Sequence, residues 1–306
     1  MGISVVIPLY NKERHIEHTI NTVLSQNYRE IEIIVIDDGS TDKSAEIVQK
    51  IIDKRLRFIK KKNEGVSTTR NLGVSEASNE LVAFLDADDE WKSDYLERIH
   101  SLYQKYPAAA IYATNYSVIE KEGKSYTLNY PGIDFEEGLI KNYFYSAYTF
   151  TPLWTSAVCV RKTIFQQMGG FPTNIRNGED LELWCRIALK YPIAYINKPL
   201  AVYRRDSDNM LSRSVVDPSW FPFLEDYVPT DQDIIVDTDS IERYIVKRQL
   251  DAASAALFVI KDSKKCIDIL SGIKNIKWNK KKYYGLKIIS IFPQKFINLL
   301  YWRILK

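Results

Sequence analysis

The first hundred residues alternate between short apolar runs and amphipathic stretches. The apolar runs are rich in β-branched residues, and the amphipathic stretches repeat their apolar positions every three or four residues, as helices do. Strands that are apolar on both faces and separated by helices predict a parallel, doubly wound sheet. The predicted strands are 3–8, 31–37, 56–60 and 81–86, and the predicted helices are 13–26, 42–52 and 66–77.

The rest of the chain divides into a mixed, an irregular and a helical segment. Apolar runs at 109–118 and 156–161 predict further strands, and 180–191 has a helical period. Scattered Pro, Asp and Ser between 204 and 237 predict a loop or lid followed by a linker. From Ser240 onward the pattern is helical. We therefore predict two domains, 1–215 and 216–306.

Composition limits the classes of protein that the chain can represent. Hydrophobic residues make up 45% of its 306 positions, which is enough for a folded core, and no apolar run is long enough to span a bilayer. The three cysteines are isolated, so neither a zinc site nor a disulfide framework is expected. No basic leader precedes the first strand. These features predict a cytoplasmic protein.

Charge is distributed unevenly along the chain. Nine Lys or Arg and no Asp or Glu lie between Lys274 and Lys306, although the net charge of the whole chain is only +3. Basic residues interleaved with aromatic and aliphatic ones suit a segment lying on an anionic membrane surface, here the inner face of the plasma membrane. Packing on the main domain, or on a second copy in a homodimer, is an equal alternative. No nucleic-acid-binding fold is recognisable, so no nucleic-acid partner is expected.

The most informative motif is the acidic sequence 86–89, Asp-Ala-Asp-Asp, directly after the apolar run 81–85. Carboxylates that lie this close repel one another unless a cation lies among them. Oxygen ligands favour Mg²⁺ or Mn²⁺, which proteins often share with substrate phosphates. The alternative is an acidic turn whose aspartates cap the following helix.

Polar residues also follow the first two predicted strands. Tyr10 and Asn11 come after the first strand, and Asp38 comes at the end of the second. Ligands of such sheets bind beyond the carboxyl ends of the strands, so these residues are expected to meet the acidic motif in one crevice. No glycine-rich phosphate loop follows the first strand. Tyr10, Asp38 and Arg70 could instead hold a nucleoside, or could be ordinary packing, turn and surface residues.

Several sequences together resemble the nucleotide-sugar domain of family 2 glycosyltransferases. They are VVIPLYN at 5–11, IDDGSTD at 36–42, NEG at 63–65, RNLG at 70–73 and LDADD at 85–89. The resemblance extends from about residue 3 to residue 206. It implies a GT-A fold, in which a Rossmann-like central mixed sheet is flanked by helices, with a helical C-terminal extension added here.

Two further sequences, GGF at 169–171 and GEDLELW at 178–184, resemble the acceptor side of that family. The resemblance implies that Asp180 is the catalytic base and that Glu179 and Trp154 lie on the acceptor side. The alternative is that Glu179 or Asp180 only caps a helix. For the metal, the resemblance implies Mn²⁺ or Mg²⁺ at Asp88 and Asp86. The residues implied for the nucleotide sugar are Pro8, Tyr10, Asn11, Glu13, Asp38, Asn63, Arg70, Asp86 and Ala87.

The chain departs from the family pattern after Tyr203-Arg204, where many relatives have a metal-side histidine and this chain has none. Asp206 is a candidate replacement, unless the third protein ligand is missing. The histidines on predicted helices, His15 and His18 among them, are expected to be solvated. Asp89 is expected to cap the helix that begins near Ser93. Since no Q-x-x-R-W sequence is present, addition of one sugar per encounter is expected.

These observations predict a metal-dependent, inverting glycosyltransferase that uses a UDP-sugar. The implied acceptor is a hydroxyl of a glycan, linked to undecaprenyl diphosphate, in the synthesis of a bacterial surface polysaccharide such as O-antigen or capsule. A degenerate transferase acting as a membrane-docked scaffold is one alternative. A sugar nucleotidylyltransferase is another, but the glycine-rich, arginine-containing loop expected after its first strand is absent here.

Overall fold

The structure is a computed structural model that describes residues 1–120, 123–175, 177–205, 234, 237–274, 276–292 and 297. It contains two compact units, a larger α/β unit that begins at Met1 and a smaller one that holds the helices after residue 236. The boundary predicted at residues 215 and 216 lies outside the described residues and stays a prediction.

Among the described residues, the larger unit is built on one sheet of ten strands. They are β1 Ile3–Leu9, β2 Ile31–Asp37, β3 Leu56–Lys60, β4 Leu81–Phe84, β5 Glu90–Trp91, β6 Ile111–Ile119, β7 Ser125–Thr127, β8 Glu137–Leu139, β9 Val158–Arg161 and β10 Ile193–Arg204. Its helices are α1 Ile16–Leu24, α2 Ser44–Gln49, α3 Val66–Glu76, α4 Tyr95–Lys105, α5 Tyr143–Ser146, α6 Lys162–Gln167 and α7 Glu179–Lys190, with a 3₁₀ turn at Thr155–Ala157.

The strand order is β3-β2-β1-β4-β9-β6-β10-β5, with β7 paired to β6 and β8 paired to β10. Strands β1 to β4 are parallel, as the alternating pattern predicts. Strand β9 is antiparallel to both of its neighbours, which makes the sheet mixed. The predicted class, a central mixed sheet flanked by helices, is therefore confirmed. The carboxyl ends of β1, β2 and β4 lie at one edge of this sheet.

Helix α3 lies unusually close to strand β1. A Cβ atom added at Gly73 would come within 2.3 Å of Cγ1 of Val6, whose side chain is fully buried in the sheet. Real Cβ atoms do not approach that closely, so glycine is required for the helix to pack here. Arg70 lies on the same helix, one turn before Gly73, so the close packing fixes the position of its backbone relative to the sheet.

The smaller unit is helical, as predicted. It contains α8 Thr238–Ala255, a π turn at Ala256–Ile260, α9 Ser263–Gly272 and α10 Lys280–Ile289. Leu250, Leu257, Leu270 and Leu286 are among the residues of its own apolar core. In the described part of the chain, no helix combines the length and the apolar character needed to cross a membrane.

We predict that Gly73→Ala lowers the free energy of unfolding by about 1–3 kcal/mol, because the new methyl group must displace Val6 or move α3. Urea unfolding measures the change. Gly272→Ala is the matched control, since a Cβ atom there meets nothing within 4 Å and alanine favours a helix. Equal stability of Gly73→Ala and the wild type would contradict the packing argument.

Candidate active site

The acidic loop after β4 lies against the first helix. Nζ of Lys12 donates to Oδ2 of Asp88 at 2.6 Å. Oγ1 of Thr19 in α1 donates to the carbonyl oxygens of Ala87 and Asp89, at 3.1 and 2.9 Å. The ends of β1 and β4 therefore meet, as the rule for parallel strands predicts.

Ser156 fixes the same loop from the other side. Its Oγ accepts a hydrogen bond from the backbone N–H of Asp86 at 3.0 Å and donates to Oδ2 of Asp89 at 2.7 Å. The backbone N–H of Arg204 donates to Oδ1 of Asp89 at 3.1 Å. The expected role of Asp89 as a helix cap is wrong, because α4 begins only at Tyr95 and the buried Asp89 side chain bonds instead to the 3₁₀ turn before β9 and to β10.

Burial is the main reason that the pKa of Asp89 is raised well above its ordinary value, and the charges of Asp88 and Asp86 add to it. Three carboxylates thus follow β4 in three different environments. The Asp86 side chain is 29% exposed, the Asp88 side chain is 14% exposed, and Asp89 is buried. No sequence motif marks Ser156 as a site residue, because it reaches the acidic loop only through the pairing of β9 with β4.

Arg70 joins the acidic loop to helix α7. Its Nη2 donates to Oδ1 of Asp86 at 2.7 Å, and its Nη1 donates to Oε1 of Glu179 at 2.8 Å. The guanidinium also lies 5.4 Å from the ring centre of Phe171. Burial alone would lower the pKa of Arg70, but the two carboxylates outweigh it and raise the pKa above its ordinary value. One buried cation therefore links residues that are 93 positions apart in the sequence.

Glu179 is the buried acid of α7. Burial, followed by the neighbouring charge of Asp180, raises its pKa to about 7, although the ion pair with Arg70 opposes that shift. A carboxyl group in this state changes its charge near neutral pH.

Asp180 lies in the first turn of α7 and is half-buried. Oγ1 of Thr155 donates to its Oδ2 at 2.8 Å, and the backbone N–H of Leu181 donates to its Oδ1 at 2.8 Å. Trp154 precedes Thr155 and packs between the rings of Tyr116 and Tyr203, each 4.8 Å away between ring centres. Trp154 therefore adjoins the residue that bonds to Asp180, and the acceptor-side role of Trp154, like that of Glu179, stays a prediction.

Two of the predicted nucleotide-sugar residues tie the loops after β1 and β2 together. Oδ1 of Asn11 accepts from the backbone N–H of Thr41 at 2.8 Å, and the Asn11 N–H donates to Oγ of Ser40 at 3.0 Å. Oε2 of Glu13 accepts from the backbone N–H of Lys43 at 2.9 Å. Asn11 and Glu13 therefore hold the shape of the loops through side-chain contacts.

Asp38 organises the loop after β3. Its Oδ1 accepts from Nζ of Lys61 at 2.5 Å and from the N–H of Glu64 at 2.9 Å, and its Oδ2 accepts from the N–H of Gly65 at 2.9 Å. Both carboxylate oxygens thus have protein partners, and a base N–H would share one of them. Tyr10 has 48% of its surface exposed.

The remaining predicted residues differ in their accessibility. Pro8 is half-buried within β1, and Asn63 is exposed in the loop before α3. Asp206, the candidate third metal ligand, lies outside the described residues.

Two cavities lie beside these loops. One of about 440 Å³ lies between the loops after β1 and β2, and its lining includes Asn11, Lys12 and Glu13. Another of about 240 Å³ is lined by Arg14, His15, His18, Thr19, Asp88 and Arg204.

His15, which directly precedes α1, and His18 in α1 both line the smaller cavity, which the sequence gives no reason to expect. His18 is largely exposed, as predicted, and its Nε2 lies 2.5 Å from Oε2 of Glu90. Nε2 of His15 is buried and has no hydrogen-bond partner among the residues that the structure describes.

Within the described residues, no group of three or more His, Cys, Asp and Glu side chains is arranged to hold a metal ion. Asp88 and His15 nevertheless both line the smaller cavity. The Asp88 carboxylate is an oxygen ligand of the kind that Mg²⁺ and Mn²⁺ take, and such an ion can draw its other ligands from a substrate.

The fold is of the GT-A class, as comparison with a solved structure shows. The structure aligns with the 1–349 fragment of TarS from S. aureus in complex with UDP-GlcNAc, with a TM-score of 0.77 and 17% identity. The alignment covers 99% of this chain and 92% of that fragment. At this identity the likeness shows the shared fold.

The chain belongs to glycosyl transferase family 2, whose family model matches residues 4–167. The family predicted from the sequence motifs is thereby confirmed, and so is the enzyme class.

Curated relatives agree with this assignment. An uncharacterized glycosyltransferase of Rickettsia felis is 37% identical over 203 residues, which are 66% of this chain and 33% of the relative. The putative teichuronic acid biosynthesis glycosyltransferase TuaG of Bacillus subtilis is 30% identical over 234 residues, covering 73% of this chain and 87% of TuaG. The aligned part of the chain spans about a third of the length of the Rickettsia relative.

We predict that replacing Glu179 with Gln changes the pH dependence of stability. In the folded protein the Glu179 carboxyl has a pKa of about 7, whereas in the unfolded chain its pKa is about 4.5. Between these two pH values the folded protein binds a proton that the unfolded chain has released, so the free energy of unfolding falls as the pH rises. Relative to Glu179→Gln, wild-type unfolding free energy should fall on the order of 1 kcal/mol per pH unit. Urea unfolding from pH 5 to 8 measures this slope.

Glu97→Gln is the control for this experiment, because Glu97 is an exposed helical glutamate. Its stability curve should run parallel to that of the wild type. If the plots of unfolding free energy against pH were also parallel for the wild type and Glu179→Gln, the Glu179 carboxyl would not titrate in this range.

Proposed function

We propose that this protein transfers a single sugar from a UDP-sugar to a hydroxyl group of a glycan acceptor, with inversion at the anomeric carbon. The observation that carries the proposal is the Arg70 bridge. It joins Asp86, on the side where the family binds the donor, to Glu179, which directly precedes the proposed base. A donor and an acceptor can react only if their binding residues are held in one geometry.

On the donor side, we assign the uridine to the crevice formed by the loops after β1, β2 and β3. The exposed ring of Tyr10 offers a stacking face, and Asp38 offers a carboxylate oxygen to the base. Pro8, Asn63 and Ala87 complete the proposed lining, while Asn11 and Glu13 hold the loops. The UDP-GlcNAc in the TarS complex supports a UDP-sugar as the donor class.

A divalent ion, Mn²⁺ or Mg²⁺, would be held by Asp88 with Asp86 nearby, and Asp206 remains a candidate third ligand. When bound, such an ion neutralises negative charge that develops on a departing diphosphate. Lys12 and Arg70 neutralise these two carboxylates in the present structure.

On the acceptor side, we assign the general base to Asp180. A carboxylate that removes the hydroxyl proton as the new bond forms makes the oxygen a better nucleophile. The acceptor oxygen bonds to the anomeric carbon, the bond to the diphosphate breaks, the proton passes to Asp180, and UDP leaves with the electron pair. Attack opposite the leaving group in a single step inverts the configuration. The Thr155 hydroxyl holds Oδ2 of Asp180 in place for this role.

Glu179 and Trp154 are proposed to face the acceptor. The name of TuaG, a putative teichuronic acid biosynthesis enzyme, supports a bacterial surface polysaccharide as the product class. We propose that the growing glycan is linked to undecaprenyl diphosphate on the cytoplasmic side of the membrane and receives one sugar in each encounter.

A donor-binding scaffold without turnover is the second candidate function. It is favoured by the ion pairs that already neutralise Asp86 and Asp88, and by the lack of a three-ligand cluster within the described residues. The two experiments below separate the candidates.

We predict that Mn²⁺ strengthens UDP binding and that Asp88→Ala removes this enhancement. The expected loss is at least about tenfold in affinity, because a carboxylate that bonds directly to an ion contributes strongly to holding it. Calorimetric titration with UDP, with and without Mn²⁺, measures the effect. Asp268→Ala, at an exposed position of the helical unit, is the control and should behave as the wild type. Equal UDP affinity with Mn²⁺ and with EDTA would contradict the metal assignment.

We also predict that Asp180→Asn lowers turnover by about 10²–10⁴-fold, since general-base catalysis contributes that much. UDP binding should persist. The measurement is UDP release from a panel of UDP-sugars. Undiminished release by Asp180→Asn would contradict the base assignment, whereas UDP binding by the wild type without release from any donor would favour the scaffold.

Thr155→Val tests whether the hydroxyl positions the base. We expect a lower kcat with an unchanged KM for the donor, and recovery in Thr155→Ser, which keeps the hydroxyl. A matched fall in both variants would point to a packing role for Thr155 instead.

A further inference from the structure

Helix α10, Lys280–Ile289, has apolar side chains on two opposite faces. Leu286 and Ile289 are buried in the core of the helical unit. Tyr284 and Ile288, together with Ile291 in the turn that follows, lie on the other side and are 49%, 58% and 72% exposed. Spacings of four and three residues place them in one stripe.

Lysines share the exposed side of this helix. At 100° per residue, Lys280, Lys281 and Lys287 fall on the same half of the helix as Tyr284 and Ile288. All three lysines are exposed. We call these five residues, with Ile291 and Phe292, the outer face of α10.

The lysine on the opposite half behaves differently. Nζ of Lys282 donates to Oδ1 of Asp251 in α8 at 2.8 Å, so its charge is used inside the unit. Helix α10 contains no acidic residue, and the sequence from Lys274 to Lys306 has none either. The outer face is therefore apolar and cationic at once, and α10 itself supplies no acid to neutralise it.

Exposed apolar residues are concentrated in this part of the protein. Within the described chain, half of the large apolar side chains that are exposed belong to the helical unit, although that unit is much the smaller of the two. Single exposed apolar residues are ordinary on a protein surface, but a contiguous stripe indicates a binding surface.

We propose that the outer face of α10 binds the surface of an anionic lipid membrane. Its apolar side chains would enter the boundary between headgroups and acyl chains, and the lysines would pair with lipid phosphates. Lysine stems are long enough to lie along the apolar layer while their charges stay in water. Tyr284 is of the type that prefers the polar edge of a bilayer.

The size of the surface favours lipid over a second copy of the chain. A stable protein interface uses about 20–30 residues on each side. The outer face offers four large apolar side chains and three lysines on one helix of ten residues and the turn after it. A helix lying in the headgroup region needs only such an apolar stripe with basic residues on its flanks.

The experiment is cosedimentation of the full chain with vesicles, which requires neither donor nor acceptor. Vesicles of phosphatidylcholine with about 30% phosphatidylglycerol are compared with vesicles of phosphatidylcholine alone, at low and high salt. We expect at least about tenfold stronger binding to the anionic vesicles at low salt, and a clear loss at high salt. Equal binding to both vesicle types would overturn the proposal.

Two double variants divide the surface into its parts. Ile288→Glu with Ile291→Glu, and Lys281→Gln with Lys287→Gln, should each weaken binding to the anionic vesicles by about tenfold or more. Ile52→Glu is the control for the first pair, because Ile52 is 99% exposed in the larger unit. Lys50→Gln with Lys54→Gln, at exposed positions of the larger unit, is the control for the second.

Thermal unfolding by circular dichroism checks that the variants remain folded, and light scattering gives their mass without lipid. Folded variants that bind vesicles as strongly as their controls would overturn the proposal. A dimer in the absence of lipid that is lost in the Ile288→Glu, Ile291→Glu variant would also overturn it, since a second copy would then cover this face.

Discussion

A single buried guanidinium, that of Arg70, is the constraint on which the site depends. It enters from α3 and pairs with Asp86 after β4 and with Glu179 at the start of α7. Removing one partner of a buried ion pair leaves an uncompensated charge, which costs about 3–5 kcal/mol. The three elements are therefore held to one another, and the close packing of Gly73 on Val6 fixes the helix that supplies the cation.

Two hydroxyl groups hold further carboxylates of the site in position. Thr155 and Ser156 are neighbours in the 3₁₀ turn before β9, yet one hydroxyl contacts Asp180 and the other contacts Asp89. Because β9 pairs with β4, this turn is held beside the acidic loop. One short turn thus contacts both the acidic loop and the start of α7. Both residues are buried, so water does not compete for their hydroxyl groups.

The sequence predicts the parallel half of the sheet well, since β1, β2 and β4 are largely apolar runs separated by helices. Strand β10 is different. Lys198 and Pro199 interrupt its pattern, and the register with β6 shifts on both sides of Pro199. Bulges of this kind depend on the partner strand, so the chain alone does not reveal them. The same limit applies to Ser156 and to the partners of Asp89, which come together only through antiparallel pairing.

The contact between Lys12 and Asp88 has a consequence for how ions reach this protein. The ammonium and the carboxylate are both largely buried and lie 2.6 Å apart, so each already satisfies the other's charge. A free divalent cation must therefore compete with the Lys12 ammonium for the Asp88 carboxylate. A cation arriving together with a phosphate-bearing molecule has an advantage, because those phosphates give the released ammonium a new anion.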